Sequence, residues 1–235
     1  MDIKIFAGAA ALLFTTLGPA AHAANLVTNG DFSATTYTQN NQFGTGFGGQ
    51  GVTGWTGNGG YNLYFFAGTE STVSAISQYG GGLEKLWGPV PASPTGGNFV
   101  AIDGDVNARG SISQSIAGLV AGQQYVLSFD WGAGQVQSRT GATTEQFSVS
   151  LGSETHSTAV VADPSQAFTG WFHSVMTFTA TSATETLSFL SIGTPTGLPP
   201  IATLDGVSLT QVPEPAALGL LGIGLLGLVA VRRRA

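Results

Sequence analysis

The sequence predicts an all-β sandwich set between two hydrophobic targeting segments. Three observations predict it. Apolar and polar residues alternate at period two along several short stretches, glycine-rich turns separate those stretches, and nothing between the two ends has the periodicity of an amphipathic helix.

The chain opens with an address. Lys4 gives a positive start, residues 5–17 form an uncharged apolar run, Pro19 breaks it, and Ala21-His22-Ala23 is a small-x-small pattern. This is the layout of a secretory signal peptide over residues 1–23, removed by signal peptidase after Ala23.

The body follows, over residues 24–211. Its clearest alternation is at 124–131, where Tyr125, Leu127, Phe129 and Trp131 alternate with Val126, Ser128 and Asp130. At 146–151, Phe147, Val149 and Leu151 share one face against Ser148 and Ser150. Further strands are expected at 98–103, 111–116, 172–180, 185–191 and 202–209. Many short strands joined by glycine turns, with no internal repeat, predict a sandwich rather than a propeller or solenoid. Residues 40–60 are dense in Gly, Asn, Gln and Thr and read as a long surface loop, and 69–94 is irregular as well.

Composition narrows the function. Charged residues make up 9% of the chain, and 35 residues are glycine. Between residues 25 and 212 the only basic side chains are Lys85, Arg109 and Arg139, against eleven carboxylates. Three bases cannot neutralise a row of phosphates, which argues against nucleic acid as a partner. It argues equally against an anionic membrane surface. The absence of cysteine excludes thiol nucleophiles, cysteine zinc sites and iron–sulfur clusters.

No catalytic constellation is visible. His22 belongs to the signal peptide, His156 lies in a polar SETHST stretch, and His173 follows Trp171 in an expected strand. Neither body histidine has metal-ligand spacing to another. Asp103-Gly104-Asp105-Val106-Asn107 places oxygens at alternate positions, as a hard cation would need, but Ala108 and Gln114 break the calcium-loop pattern. A polar turn after a strand is the simpler reading. Trp131 and Trp171 are expected in strands and in the core. Trp55, Tyr61 and Trp87 lie in loop-like sequence and are the candidate glycan-stacking residues.

The C-terminus is a second address. Val212-Pro213-Glu214-Pro215 is held extended by its two prolines. Residues 216–231 are wholly apolar; at about 1.5 Å per residue they span roughly 24 Å as a helix, and Arg232, Arg233 and Arg234 follow. The positive-inside rule puts those arginines in the cytoplasm. This order, over residues 212–235, resembles the PEP-CTERM sorting signal of Gram-negative bacteria. The resemblance implies a transient inner-membrane anchor, cleavage near Pro213, Glu214 and Pro215 by an exosortase-type membrane protease, and release or attachment at the cell surface or in the extracellular matrix. It also implies extracellular polysaccharide as a partner.

The body carries a resemblance of its own. The mature chain starts at Asn25-Leu26-Val27-Thr28-Asn29-Gly30-Asp31-Phe32-Ser33. Gly54-Trp55, then 98–104, SISQSI at 111–116, AGQQYVLSFDW at 121–131 and ATLDGVSL at 202–209 follow in order. This resembles choice-of-anchor proteins and carbohydrate-binding modules with the galactose-binding-like jelly roll. The fold implied is a jelly-roll β-sandwich with its first and last strands adjacent. Relatives often carry Glu after the Phe of the opening motif, where it helps bind calcium, and here that position is Ser33. Asp31, Asp205, Asp103 and Asp105 are the candidate ligands for at most one structural calcium; no other cofactor is expected. The function expected is a non-catalytic surface or matrix protein that contacts polysaccharide. The alternatives are a purely structural surface protein or, lacking any motif, a glycan-active enzyme.

Overall fold

The computed structural model describes residues 24–44, 51–75 and 84–213. The signal segment with Ala21 and Ala23, the motif residues Glu214 and Pro215, the 216–231 span and the arginine cluster lie outside them. No helix occurs among the described residues, so none there is long and apolar enough to cross a membrane.

Among the described residues twelve strands form two antiparallel sheets. Seven of them stand where the sequence predicts strands: β4 (Phe99–Asp103), β5 (Ser111–Ala117), β6 (Gln124–Gln135), β7 (Thr143–Leu151), β10 (Phe172–Thr179), β11 (Thr184–Thr194) and β12 (Pro200–Gln211). The other five are short: β1 (Asn41–Gln42), β2 (Thr56–Asn58), β3 (Asn62–Phe65), β8 (Glu154–Ser157) and β9 (Val161–Asp163). The first sheet runs β1-β3-β4-β12-β6-β10, and the second runs β2-β5-β11-β7-β8 with β9 also on β7. From β4 onward the chain steps between the sheets: β4, β6, β10 and β12 in the first, β5, β7 and β11 in the second. That winding is a jelly roll. The opening residues lie along the last strand, with Leu26 N–H donating to the Leu209 carbonyl at 2.9 Å.

The main core fills the space between the sheets. Phe129, Phe147 and Phe189 meet edge to face there, with centroids 5.1 to 6.5 Å apart. Each such pair adds roughly 0.5–1.5 kcal/mol beyond the area it buries. A smaller core lies on the outer face of the first sheet, where Leu63, Phe65, Phe99, Ala101 and Ile201 pack under Ala75, Leu86 and Val136. β3 and β4 are therefore buried on both faces, which explains why Phe99-Val100-Ala101-Ile102 reads as a continuous apolar run.

The expected surface loop over 40–60 needs correction. β1 and β2 fall inside it, and Gln42, Phe43, Val52 and Trp55 are buried. Asn40 is buried too, accepting Phe66 N–H at 2.8 Å and donating to the Val73 carbonyl at 2.8 Å. Its amide gives a glycine-rich segment the fixed contacts that periodicity would otherwise announce.

Candidate functional site

A cleft of about 240 Å³ opens at one end of the sandwich, lined by Tyr61, Glu84, Asp103, Ala108, Val136, Ser138, Arg139 and Pro199. The β4–β5, β6–β7 and β11–β12 connections meet there. Tyr61, just before β3, is fixed by its backbone: its N–H donates to the Ala108 carbonyl and its carbonyl accepts Asp103 N–H, both at 2.9 Å. Residues 84–87 are pinned beside β6, with Leu86 bridged to Val136 and Gln137 N–H donating to the Lys85 carbonyl at 2.7 Å. Trp87 stands half-buried at the rim, its indole N–H donating to the Arg139 carbonyl at 2.8 Å.

Asp103 is the buried acid of the cleft. Its Oδ1 accepts Asp105 N–H at 2.7 Å, and Asp105 Oδ1 accepts Asn107 N–H at 2.9 Å. Asp105 Oδ2 accepts Gly197 N–H, which ties the turn to the β11–β12 connection. Burial pushes the Asp103 carboxyl up to about 7, the nearby charge of Asp105 adding to the rise and the Asp105 N–H opposing it. An aromatic ring, a guanidinium and carboxylates around one apolar-walled cleft can stack on a ligand face while giving and taking hydrogen bonds.

The glycan-stacking candidates separate. Tyr61 lines the cleft and Trp87 stands at its rim. Trp55 is corrected: it is 3% exposed and packs between Phe32 and Phe189 at 5.2 and 6.2 Å, so it offers no surface. Trp131 is in the core as expected. Trp171, also expected there, is only partly buried. It lies across Phe99 and Phe168 outside the first sheet and donates its indole N–H to the Pro91 carbonyl at 2.9 Å. Sequence reading missed Arg139 and Glu84, because nothing local to them shows that three connections meet.

The four aspartates do not converge. Asp103 pairs with Ile201, and Asp205 lies four residues further along β12, about 13 Å away at 3.3 Å per residue. One Asp103 oxygen and both Asp105 oxygens accept backbone amides, as in a polar turn. Asp205 is fully buried; its Oδ1 accepts Gly206 N–H at 2.7 Å and its Oδ2 accepts the Ser93 and Thr95 hydroxyls. Burial raises it to about 6, the charge of Asp31 adding a little. Asp31 is exposed. Among the described residues no three His, Cys, Asp or Glu side chains are placed to hold a metal.

The histidines pair with acids on exposed strand positions, His156 with Glu154 and His173 with Asp130, both at 2.8 Å. Neither lines the cleft.

Fold and tail together define the class: a jelly-roll body ahead of a sorting signal. The family model described as protein of unknown function (DUF642) matches residues 25–203, and the chain belongs to that family. The PEP-CTERM protein-sorting motif matches residues 211–234, which marks the chain for exosortase-sorted export to the cell surface. No curated protein matches the chain. Three solved structures similar to it are carbohydrate-binding modules. TmCBM61, solved in complex with beta-1,4-galactotriose, shares 13% identity over 81% of this chain and 100% of its own, with a TM-score of 0.44. The C-terminal family 22 module of Clostridium thermocellum Xyn10B shares 13% over 78% and 99%, at 0.38. The CBM22-1 xylan-binding domain of Paenibacillus barcinonensis Xyn10C shares 14% over 78% and 99%, at 0.34.

Proposed function

We propose that the mature protein is a non-catalytic component of the cell surface or extracellular matrix of a Gram-negative bacterium, and that it holds a neutral polysaccharide in the Tyr61–Arg139 cleft. The observation that carries this reading is the cleft's lining: the Tyr61 ring, the Arg139 guanidinium and the Asp103 and Glu84 carboxylates on one concave surface. Sugars present C–H faces that stack on aromatic rings and hydroxyls that bond both ways. Its volume, about 240 Å³, falls below the roughly 300–1,000 Å³ of pockets that enclose a whole small molecule. It suits a short stretch or the end of a chain. Only three bases oppose eleven carboxylates in the body, so an acidic polymer would be repelled. Binding at one cleft is weak, because sugar hydroxyls exchange bonds with water, and many copies along one polymer compensate by avidity.

The test is retention of the mature protein on polysaccharide from its own producer. Tyr61→Ala and Arg139→Ala are each expected to weaken retention at least several-fold while leaving the thermal transition within a few degrees of the parent. Equal retention of both variants would remove the cleft from the account. No retention of the parent on any polymer from its producer would leave a purely structural protein.

A further inference from the structure

The first sheet ends on a long strand with an open edge. β10 is its last member, with only β6 beside it, and that pairing runs unbroken through all eight residues. The other strands at sheet edges, β1, β2, β8 and β9, have two to four residues. Proteins guard a long edge with lysine, proline, a bulge or a covering loop, because its unpaired amides and carbonyls are a template for another strand. β10 reads Phe-His-Ser-Val-Met-Thr-Phe-Thr, with no lysine, no proline and no break in register. Val175 is 60% exposed and Phe172 37%, among the few large apolar side chains left in solvent.

The hydrogen bonds at the end of β10 show which of its backbone groups are free. Ala180 N–H donates to the Gln123 carbonyl at 3.0 Å, on the β6 side. Thr179 N–H points the other way and donates to Glu154 Oε2 at 2.7 Å. Backbone groups alternate in direction along a strand, so His173, Val175 and Thr177 also turn their N–H and C=O groups away from β6. Those groups meet no backbone partner among the described residues. The open stretch is bounded at both ends. Glu154 occupies the Thr179 amide, and Gly170, at a φ of 85°, turns the chain just before Trp171. Three outward residues remain, centred on Val175.

We propose that β10 pairs antiparallel with β10 of a second copy of this chain, about a two-fold axis through Val175, to make a dimer with one continuous sheet. In this register Val175 bonds its own counterpart, and His173 and Thr177 bond the partner's Thr177 and His173. Each of these pairs exchanges two N–H···O bonds, so every free group finds a partner. That symmetry about a single residue is what fits a second copy better than a foreign strand. Phe172 then lies opposite the partner's Phe178, Ser174 opposite the partner's Met176, and no two like charges are set against each other. A two-fold contact of this kind uses up both edges, so assembly stops at two. β8 lies on the same flank, with Glu154 on Thr179 and the His156 ring 4.8 Å from that of Phe178, so the edges of both sheets join the contact. A strand of eight residues is about 26 Å long, and with a second sheet about 10 Å behind it the flank buries on the order of 1,000 Å² over the two copies. That is the lower end for a specific interface and corresponds to a weak dimer, with Kd on the order of 10⁻⁵ M. Two joined copies carry two Tyr61–Arg139 clefts, the smallest unit that gains avidity on a polymer; this consequence alone rests on the polysaccharide reading.

The experiment is sedimentation velocity of the mature protein from about 1 to about 200 µM, a range that brackets a weak dimer. The mass is expected to rise from one chain to two across it and to go no higher. Val175→Lys sets like charges against each other at the axis, and Val175→Pro removes an N–H that no bond within the chain uses. Each is expected to weaken dimerisation at least tenfold while the monomer's Tm stays within a few degrees of the parent; if the proline variant fails to fold, the lysine variant decides. The chain has no cysteine, so one introduced thiol reads the register. Val175→Cys is expected to crosslink to its counterpart through a short bis-maleimide, because the two Cα atoms are about 5.5 Å apart in such a pair. Thr179→Cys, also exposed, lies about 26 Å from its counterpart and is expected not to. A parent that stays monomeric throughout would overturn the proposal. So would a dimer unaffected by Val175→Lys, growth beyond two chains, or crosslinking of Thr179→Cys as efficient as that of Val175→Cys.

Discussion

Trp55 donates its indole N–H to the Asn29 carbonyl at 3.0 Å from inside the main core. Asn29 lies in the turn that opens the body, and Phe32, three residues on, packs against the same indole ring. Trp55 therefore locks the opening turn onto Phe189 of the second sheet. Trp55→Ala is expected to lower unfolding free energy by about 3–5 kcal/mol, measured by urea denaturation. A loss below about 1 kcal/mol would mean that the turn is held by other contacts.

Trp87 gives the opposite expectation. It is half-buried, and its side-chain bond goes to the Arg139 carbonyl at the cleft rim. Trp87→Ala is expected to reduce retention on polysaccharide several-fold and to shift Tm by only a few degrees. A Tm loss as large as that of Trp55→Ala would make it a structural residue.

Gly30 explains why the opening motif carries glycine. A Cβ there would lie 1.9 Å from the Val207 carbonyl oxygen, and the Gly30 carbonyl accepts Val207 N–H at 2.9 Å. The first turn and the last strand touch backbone to backbone. Gly30→Ala is expected to cost about 1–3 kcal/mol by overpacking, read from the urea midpoint. An unchanged midpoint would mean that the two segments part at little cost.

Asp103 ties stability to pH. Its folded pKa of about 7 stands above the 3.8 of an ordinary aspartate. The folded state then binds the extra proton between those values, so this contribution is fully present below about pH 4 and is lost as pH rises through 7. Asp103→Asn keeps the oxygen that caps Asp105 N–H and removes the charge. It is expected to match the parent near pH 4 and to exceed it by on the order of 2 kcal/mol at pH 8. Parallel curves for the two proteins would show that the carboxyl ionises at its usual pH.

The long strands were legible because each has one face on the core. β5, β7 and β11 alternate cleanly, and their bounds exceed the expected ones by no more than three residues at either end. β3 was not, because its four residues are all buried, which leaves neither alternation nor length to read. β1, β2, β8 and β9 have two to four residues, too few for a period. Of the site, Tyr61 and Trp87 could be named from loop composition. Arg139 and Glu84 could not, since they lie on the β6–β7 and β3–β4 connections, far apart in sequence. Trp55 misled, because the rings that enclose it come from residues 32 and 189.

The fold also sets where sorting can cut. β12 runs to Gln211, and Val212 N–H still donates to the Gln124 carbonyl at 2.9 Å, while Pro213 is exposed. The last backbone bond among the described residues thus falls one residue before the first proline of the motif. A protease acting after Pro213 would leave every β12 pairing intact, whereas a cut before Gln211 would remove edge contacts to Tyr125. Mature protein from the producing cells is expected to begin at Ala24 and to end at or after Pro213 without the apolar span, as read by intact mass. Substituting Glu214 is expected to accumulate a membrane-bound precursor while the body's Tm stays unchanged. Retention of residues 216–235 in the final product would sink the processing reading. A fall in the precursor's Tm would show that the motif takes part in the fold.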